Sequence, residues 1–366
     1  MTVTRSTKSS FRFGVEIELL LESPGKKHKT WDSLAKDLSK QLAKAGIPNR
    51  IDDSGDYSEW SIVREVTVQD PNGQNPYQYG VELVSPVHTP ASLPTLTTTL
   101  STIFTTIHTT TTLIPTPRSS SHIHISRSPS NNPLTPLDLA ALSKAALYFE
   151  RALDALMPPE RRTTTTTTNN NTHWAQSNRH AYNPSLAGLP LAACLAKIDA
   201  AAAAAATTTA TTTTPAVPGG RDAARPVVEV MNLVAKESRY GVVRQKRADF
   251  VRGKTCKWDF SGLLMNGGGG GGGPGGEVVD RGIAGTVEFR QSPGSVKAGD
   301  AVVWVTLAVA FVAGAVEVGM GLGVEGGVRE EGGSVEELWG VLMKGREVVG
   351  WADLEVLEGL FSGVGR

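Results

Sequence analysis

The sequence predicts an α+β protein, and three observations carry that prediction. Segments whose apolar residues recur at every second position, as in half-buried strands, are scattered along the chain. Between them lie segments with the three-and-four apolar spacing of amphipathic helices. The two kinds do not alternate as a run of short strand–helix–strand units, which argues against a doubly wound parallel sheet. With 366 residues, 40% of them hydrophobic, the chain can bury one large core or two modest ones. One composite domain with a small helical tail fits best.

The first strand is "FRFGVEIELLL", residues 11 to 21. Phe11, Phe13, Val15, Ile17 and Leu19 line one face, while Glu16 and Glu18 share the other, about 7 Å apart. Trp31, Leu34, Leu38 and Leu42 then mark a helix, with Thr30 as its N-cap and Gly46 as its stop. "EWSIVREVTV" (59–68) reads as a strand with Ser61, Val63, Glu65 and Thr67 on one face, and Glu65 is assigned a structural or supporting role. In "YGVELVSPV" (79–87), Val81 and Leu83 oppose Glu82. Leu93, Leu96, Leu100, Ile103 and Ile107 form a second helix, weakened by threonines on its outer face. "SSHIHIS" (120–126) sets Ile123 and Ile125 against His122, His124 and Ser126. Pro136 opens a single long helix to Met157, and Arg161 and Arg162 after it read as a solvated helix end. "GTVEFRQS" (285–292) turns Val287 and Phe289 one way, Glu288 and Arg290 the other. Ala301 to Val316 is nearly all apolar, yet at 16 residues it falls short of the roughly 20 needed to cross a bilayer. It reads as a buried core helix. "SVEELWGVLM" and "WADLEVLEGLF" supply two short amphipathic helices. Trp60, Trp258 and Trp304 are assigned to the core.

Low-complexity tracts near 163–172 (Thr/Asn), 200–218 (Ala/Thr/Pro) and 267–276 (Gly) interrupt this pattern. Their composition marks flexible insertions that contribute nothing to a packed core, although the poly-Ala part can extend a helix locally. The glycine run is not a phosphate loop, because no Lys-Ser/Thr follows it. Residues 1–10 read as a disordered N-terminus, 11–320 as the main domain carrying these insertions, and 321–366 as a helical tail.

Composition narrows the function classes. Acidic and basic residues balance at 36 each, so no global field favours nucleic acid or an anionic membrane. Cys194 and Cys256 are the only cysteines, and no zinc spacing is present, which favours a reducing, cytoplasmic setting. The opening "MTVTRSTKSS" lacks the apolar stretch of a secretory signal.

The strands repeat one arrangement, an apolar face backed by a face bearing Glu, His or Arg. If they share a sheet, four carboxylates crowd together. Two like charges 4 Å apart repel by roughly 4 kcal/mol at an effective dielectric near 20. A cluster of that kind stays ionised when cations neutralise it. Oxygen-rich sites with one or two histidines favour Mg²⁺ or Mn²⁺ over zinc, and an adjacent Arg suits a bidentate anion such as a phosphoryl group. These residue types together suggest nucleotide-driven chemistry.

The ordered set "FGVEIEL", "GVELVSP", "HIHIS" and "TVEFRQSPGS" resembles the amidoligase family of carboxylate–amine ligases, from Phe11 to about Val318. The resemblance implies a glutamine-synthetase-like fold, a curved, mostly antiparallel sheet backed by helices. It implies that Glu16, Glu18, Glu82, His122 and Glu288 hold Mg²⁺ (or Mn²⁺) against ATP phosphates. Arg290 would steady the transferred phosphoryl group, making Glu18, Glu288 and Arg290 the catalytic set. His122, His124 and Ser126, with Arg179 of "SNRHAYNPS" and Lys257 of "CKWDFSGLL", would contact nucleotide or substrate. Asp259 stands where the family pattern suggests Asn. Tyr182 joins this group of candidates, and Ser85 is placed either on phosphate or as a cap of local backbone. The implied reaction joins a small-molecule or peptide carboxylate to an amine through an acyl phosphate. Rival readings are an inactive nucleotide- or peptide-binding relative and a metal-dependent hydrolase. The assembly state is left open, with an oligomer compatible.

Overall fold

The structure is a computed structural model that describes residues 10–52, 56–68, 75–128, 133–163, 175–179, 183–211, 221–232, 256–264, 285–319 and 328–364. The expectations for residues 1–9, for the tract at 267–276, for nearly all of the tract at 163–172 and for Tyr182 lie outside the described residues. The described strands are β1 (Ser10–Glu22), β2 (Asn49–Ile51), β3 (Trp60–Arg64), β4 (Gln78–Val84), β5 (Thr112–Ile114), β6 (Ser121–Ser128), β7 (Trp258–Asp259) and β8 (Val287–Phe289). They form one open sheet in the order β2-β3-β4-β1-β6-β8-β7, with β5 pairing β1 beside the main path. β2 and β3 run parallel, and the other pairs are antiparallel. The chain is thus α+β with a mostly antiparallel sheet, as its periodicity predicts.

β1 is the spine of this sheet because its alternation is the longest. Phe11, Phe13, Val15, Ile17, Leu19 and Leu21 are all nearly inaccessible. They pack in one core with Leu83 of β4, Ile123 of β6 and Phe289 of β8. The same core takes in helices α1 (Trp31–Lys44), α2 (Leu93–Thr110) and α7 (Ala298–Val318). Thr30 caps α1 by accepting the Ser33 N–H at 3.2 Å, and Gly46 follows its end at φ +81°. The Trp31 indole N–H donates to the Gly80 carbonyl at 2.9 Å, tying α1 to β4.

α7 is the one helix among the described residues long and apolar enough to cross a membrane, and 83% of its most apolar window is buried inside the protein. It sits at the centre of the helical layer. α8 (Val335–Val349) packs along it and α9 (Glu355–Ser362) closes behind. The α7–α8 approach depends on two glycines: a Cβ at Gly314 would lie 2.0 Å from the Val341 carbonyl oxygen, and one at Gly345 would lie 1.8 Å from that of Ala310.

Two sequence expectations are corrected here. The segment 136–157 is two helices, α3 (Pro136–Tyr148) and α4 (Glu150–Leu156), broken at Phe149. The Gly333 N–H takes the Tyr148 carbonyl at 2.8 Å, and a Cβ on Gly332 or Gly333 would collide with Tyr148 or Phe149. A distant turn therefore captures the carbonyl where a straight helix would continue. The poly-Ala tract is also not excluded from the core. α5 (Leu191–Thr211) runs through it and packs beside α3 and α6 (Arg221–Asn232), burying Ala202 and Ala205. Alanine loses no side-chain entropy in a helix and needs only a shallow groove. Residues 212–218 of that tract lie outside the described residues.

Candidate functional site

The face of the sheet opposite the helices carries the polar residues, and the register decides which of them meet. Residues directly opposite in an antiparallel pair share a face. Glu18 lies opposite Glu82, Glu16 opposite His122, His124 opposite Glu288 and Glu288 opposite Asp259. One continuous row therefore runs from β4 through β1, β6 and β8 to β7. Glu65 reaches it by another route. The chain leaving β3 crosses over Gly80, where a Cβ would lie 1.9 Å from the Glu65 carbonyl oxygen. That close approach, available only to glycine, sets the Glu65 carboxylate beside Glu18 and Glu82. The strand ends at Arg64, short of the predicted 59–68, and Glu65 belongs to the cluster itself.

The two histidines bridge the acids. His124 Nε2 is 3.2 Å from Glu16 and 3.6 Å from Glu288. His122 Nδ1 is 3.5 Å from Glu16 and 3.4 Å from Glu288. Ser120, which the sequence reading passed over, orders this pair. Its backbone N–H and hydroxyl both donate to Glu18, at 2.8 and 2.6 Å. The hydroxyl oxygen is thereby left to accept from His122 Nε2, 2.7 Å away. The ring's Nδ1 is thereby turned toward Glu16 and Glu288, so that His122 sits between the two acids. The Arg290 guanidinium bonds Glu288 through Nη1, while its buried Nε has no partner.

Electrostatics divide the carboxylates. Burial pushes Glu16 up, but His124 and His122 outweigh it and hold Glu16 well below the usual carboxylate range. Burial likewise opposes ionisation of Glu288, and Arg290 and the two histidines overcome it. Glu18 goes the other way: burial raises it, with Glu65 adding to the rise, and His122 offsets only part. Asp259 is raised by burial and then by Glu288. Its Oδ1 accepts the Ser261 N–H at 2.7 Å, so the residue standing where Asn was expected is tied to its own turn. Burial lowers His124, yet Glu16 and Glu288 prevail and raise it.

Three overlapping groups have ligand atoms mutually within 4.8 Å: Glu16, Glu82 and His122; Glu16, His124 and Glu288; and Glu18, Glu65 and Glu82. Two oxygens on one Mg²⁺ at about 2.1 Å are at most about 4.2 Å apart, so small inward shifts would close each group. Oxygen-dominated donors with one imidazole suit Mg²⁺ or Mn²⁺. The residues fit such a cation.

Other predicted site residues stand apart from the row. Lys257 is buried with its ammonium between Asp154 at 2.6 Å and Glu150 at 3.0 Å. Burial opposes ionisation of Glu150, and Lys257 outweighs it to lower the carboxyl. Arg179 bonds the Leu189 carbonyl and Glu330, both at 2.7 Å. Both basic residues are therefore engaged elsewhere in the fold. Ser126 is half-buried opposite Arg12, beyond the Gly14–His124 step at the margin of the row. Ser85 accepts the Val15 N–H at 2.9 Å and donates to the Pro86 carbonyl at 2.8 Å, the backbone-capping alternative. Trp60, Trp258 and Trp304 are core residues, as expected.

Arg161 corrects the sequence reading most. It is only 3% exposed and comes from the three-residue turn Pro159–Arg161. Its guanidinium bonds the Ser119 carbonyl. Burial lowers its pKa, and the nearby Glu18 carboxyl partly restores it. No periodicity marks "PPERR", so the sequence held no signal for it beyond the charge.

Residues 9–189, about half of the chain, match the family model described as "Putative amidoligase enzyme". The match takes in Glu16, Glu18, Glu65, Glu82, His122, His124 and Arg161. It stops before β8, so Glu288 and Arg290 join the site through strand pairing alone. No curated protein and no solved structure matches the chain at a significant level.

Proposed function

Because the chain belongs to the amidoligase family through residues 9–189, we propose that it is an ATP- and Mg²⁺-dependent carboxylate–amine ligase with a glutamine-synthetase-like fold. The observation that carries this reading is the overlap of the three ligand groups, which share Glu16 and Glu82. A protein has little reason to crowd five carboxylates together, two of them buried and three half-buried, unless cations neutralise them.

Glu16, Glu18, Glu65, Glu82, His122, His124 and Glu288 would hold metal ions, each ion taking one of the three groups. Bound Mg²⁺ supplies positive charge to the phosphate oxygens, the main requirement of phosphoryl transfer. Arg290 offers its fork to the transferred phosphoryl group, and its pairing with Glu288 fixes the direction in which that fork points. Ser120 keeps Glu18 and His122 in place through its two donors and one acceptor. In the first step a substrate carboxylate oxygen attacks the γ-phosphorus, the bond to the bridging oxygen breaks, and ADP leaves. The amine nitrogen then attacks the carbonyl carbon of the acyl phosphate. The carbon–oxygen bond breaks, phosphate leaves, and the surplus proton passes to solvent. A free carboxylate is a poor electrophile, and the phosphoryl group converts it into a good one.

The test is ADP release by the purified protein with Mg²⁺ and ATP, screened against pools of amino acids and peptides. Release that requires both a carboxylate and an amine is the expected result. Release without the amine would make the protein an ATPase, and amide cleavage without ATP would make it a hydrolase.

A further inference from the structure

Glu18 belongs to two places at once. It closes one group in the row, and it also lines a cavity of about 280 Å³ between the β5 loop, the Pro159–Arg161 turn and the segment after β8. Ile114, Pro117, Pro293 and Val296 give this cavity apolar lining, and Arg161, Glu18 and Glu160 give it charged lining. Arg161 is buried, its Nε has no hydrogen-bond partner, and its bond to the Ser119 carbonyl leaves further donors unspent. A guanidinium carries five N–H donors in a fork that matches a carboxylate.

We infer that this cavity seats the carboxylate substrate, a small acid with an apolar body, and that Arg161 binds its carboxylate. The inference rests on the ligase reading of the neighbouring row. Pockets for drug-sized ligands run from about 300 to 1,000 Å³, and this cavity falls just below that range. It therefore admits an acid the size of a single amino acid. Since Glu18 is common to cavity and row, an acid held by Arg161 lies at the row's end, where activation takes place. Burial strengthens the selection, because a carboxylate accepts charge-assisted hydrogen bonds from the guanidinium at both oxygens whereas an amide offers only one oxygen to it.

The experiment is calorimetric binding of 4-methylpentanoate, 4-methylpentanamide and 3-methylbutylamine, with and without Mg²⁺ and a non-hydrolysable ATP analogue. It compares the wild type with Arg161→Gln and Val296→Trp. The wild type is expected to bind the acid at least about tenfold more tightly than the amide, the discrimination typical of one charged hydrogen bond. Arg161→Gln removes that preference, and Val296→Trp, which fills the cavity from its rim, removes binding of the acid. Both variants keep Mg²⁺-dependent binding of the ATP analogue. Equal binding of acid and amide by the wild type, tighter binding of the amine, or an unchanged preference in Arg161→Gln would overturn the assignment. The Val296 variant and the acid–amide contrast in the wild type stand whether or not Arg161→Gln folds. Failure of the wild type to bind the nucleotide with Mg²⁺ would instead overturn the ligase reading, which keeps the two results separate.

Discussion

The two faces of β1 are built from alternate residues of one strand, and both are buried, yet they are buried for opposite reasons. Ile17 and its odd-numbered neighbours are covered by α1, α2 and α7, and each apolar side chain removed from water favours the fold by about 1.5–3 kcal/mol. Glu18 is 6% and Glu288 5% exposed, and burial opposes the charge of both. The helical face stabilises the protein, while the acid face draws on that stability to keep carboxylates together. A period of two lets one strand do both without compromise, because a side chain on one face never competes for space with one on the other.

The Lys257 network is where that contrast should break most sharply, since it is a charged cluster that serves the fold. Lys257→Met is expected to cost about 3–5 kcal/mol, the loss typical of truncating one partner of a buried ion pair. Denaturant unfolding measures it. The pH dependence has a definite sign. Glu150 has a lowered pKa in the folded protein, so its contribution is present above the ordinary carboxylate value and lost as pH falls through the folded one. Asp154 is raised by burial despite Lys257 and offsets part of this. Removing the cation lets burial raise both carboxyls, so the deficit of the variant should be largest near neutrality and shrink as pH falls from above the ordinary carboxylate range down through it, where the raised carboxyls of the variant take up protons first. A deficit that does not change with pH would show that Lys257 acts by packing alone.

On the apolar face, Ile17→Ala should cost about 2–5 kcal/mol by leaving a cavity, with Mg²⁺ binding retained by the folded fraction. A loss below 1 kcal/mol would mean the helical layer does not grip β1 as closely as its burial indicates. On the acid face, Arg290→Lys is expected to fold normally and lose about a hundredfold in ADP release, about 2.7 kcal/mol of transition-state stabilisation. The substitution keeps the charge and removes the fork. Undiminished turnover would exclude Arg290 from the reaction.

How much of this was legible depended on what fixes each side chain's direction. Glu16, Glu18, Glu82, His122 and Glu288 are placed by strand alternation, which acts locally and is written in the sequence. Pairing then brings them together whatever lies between them in the chain. Glu65 needed Gly80, a residue on another strand, and Arg161 needed the Ser119 carbonyl, so neither position followed from its own neighbourhood. For Lys257 and Arg179 the sequence gives a charge without a partner, and the partners are Asp154 with Glu150 and Glu330. The break at Phe149 is made by the turn at Gly332 and Gly333, far along the chain. The helix through the alanine tract came from propensity that its low complexity concealed.

The smallest expected change is also the most discriminating. Glu18→Gln should alter stability in the absence of metal by no more than about 1 kcal/mol. The amide keeps an oxygen to accept the Ser120 N–H, and it removes a carboxylate whose ionisation burial already opposes. An apolar-face residue equally buried would not be so tolerant. The same variant should differ clearly once Mg²⁺ is added. A ligand at a hundred times its dissociation constant stabilises the folded state by about 2.7 kcal/mol, and the wild type should show a rise of that kind in its melting temperature. Glu18→Gln should show less of it, because one of the ligands that close the group with Glu65 and Glu82 has lost its charge. An equal Mg²⁺-dependent rise in both proteins would mean that Glu18 holds Ser120 and nothing more, and the acid face would then need a different occupant.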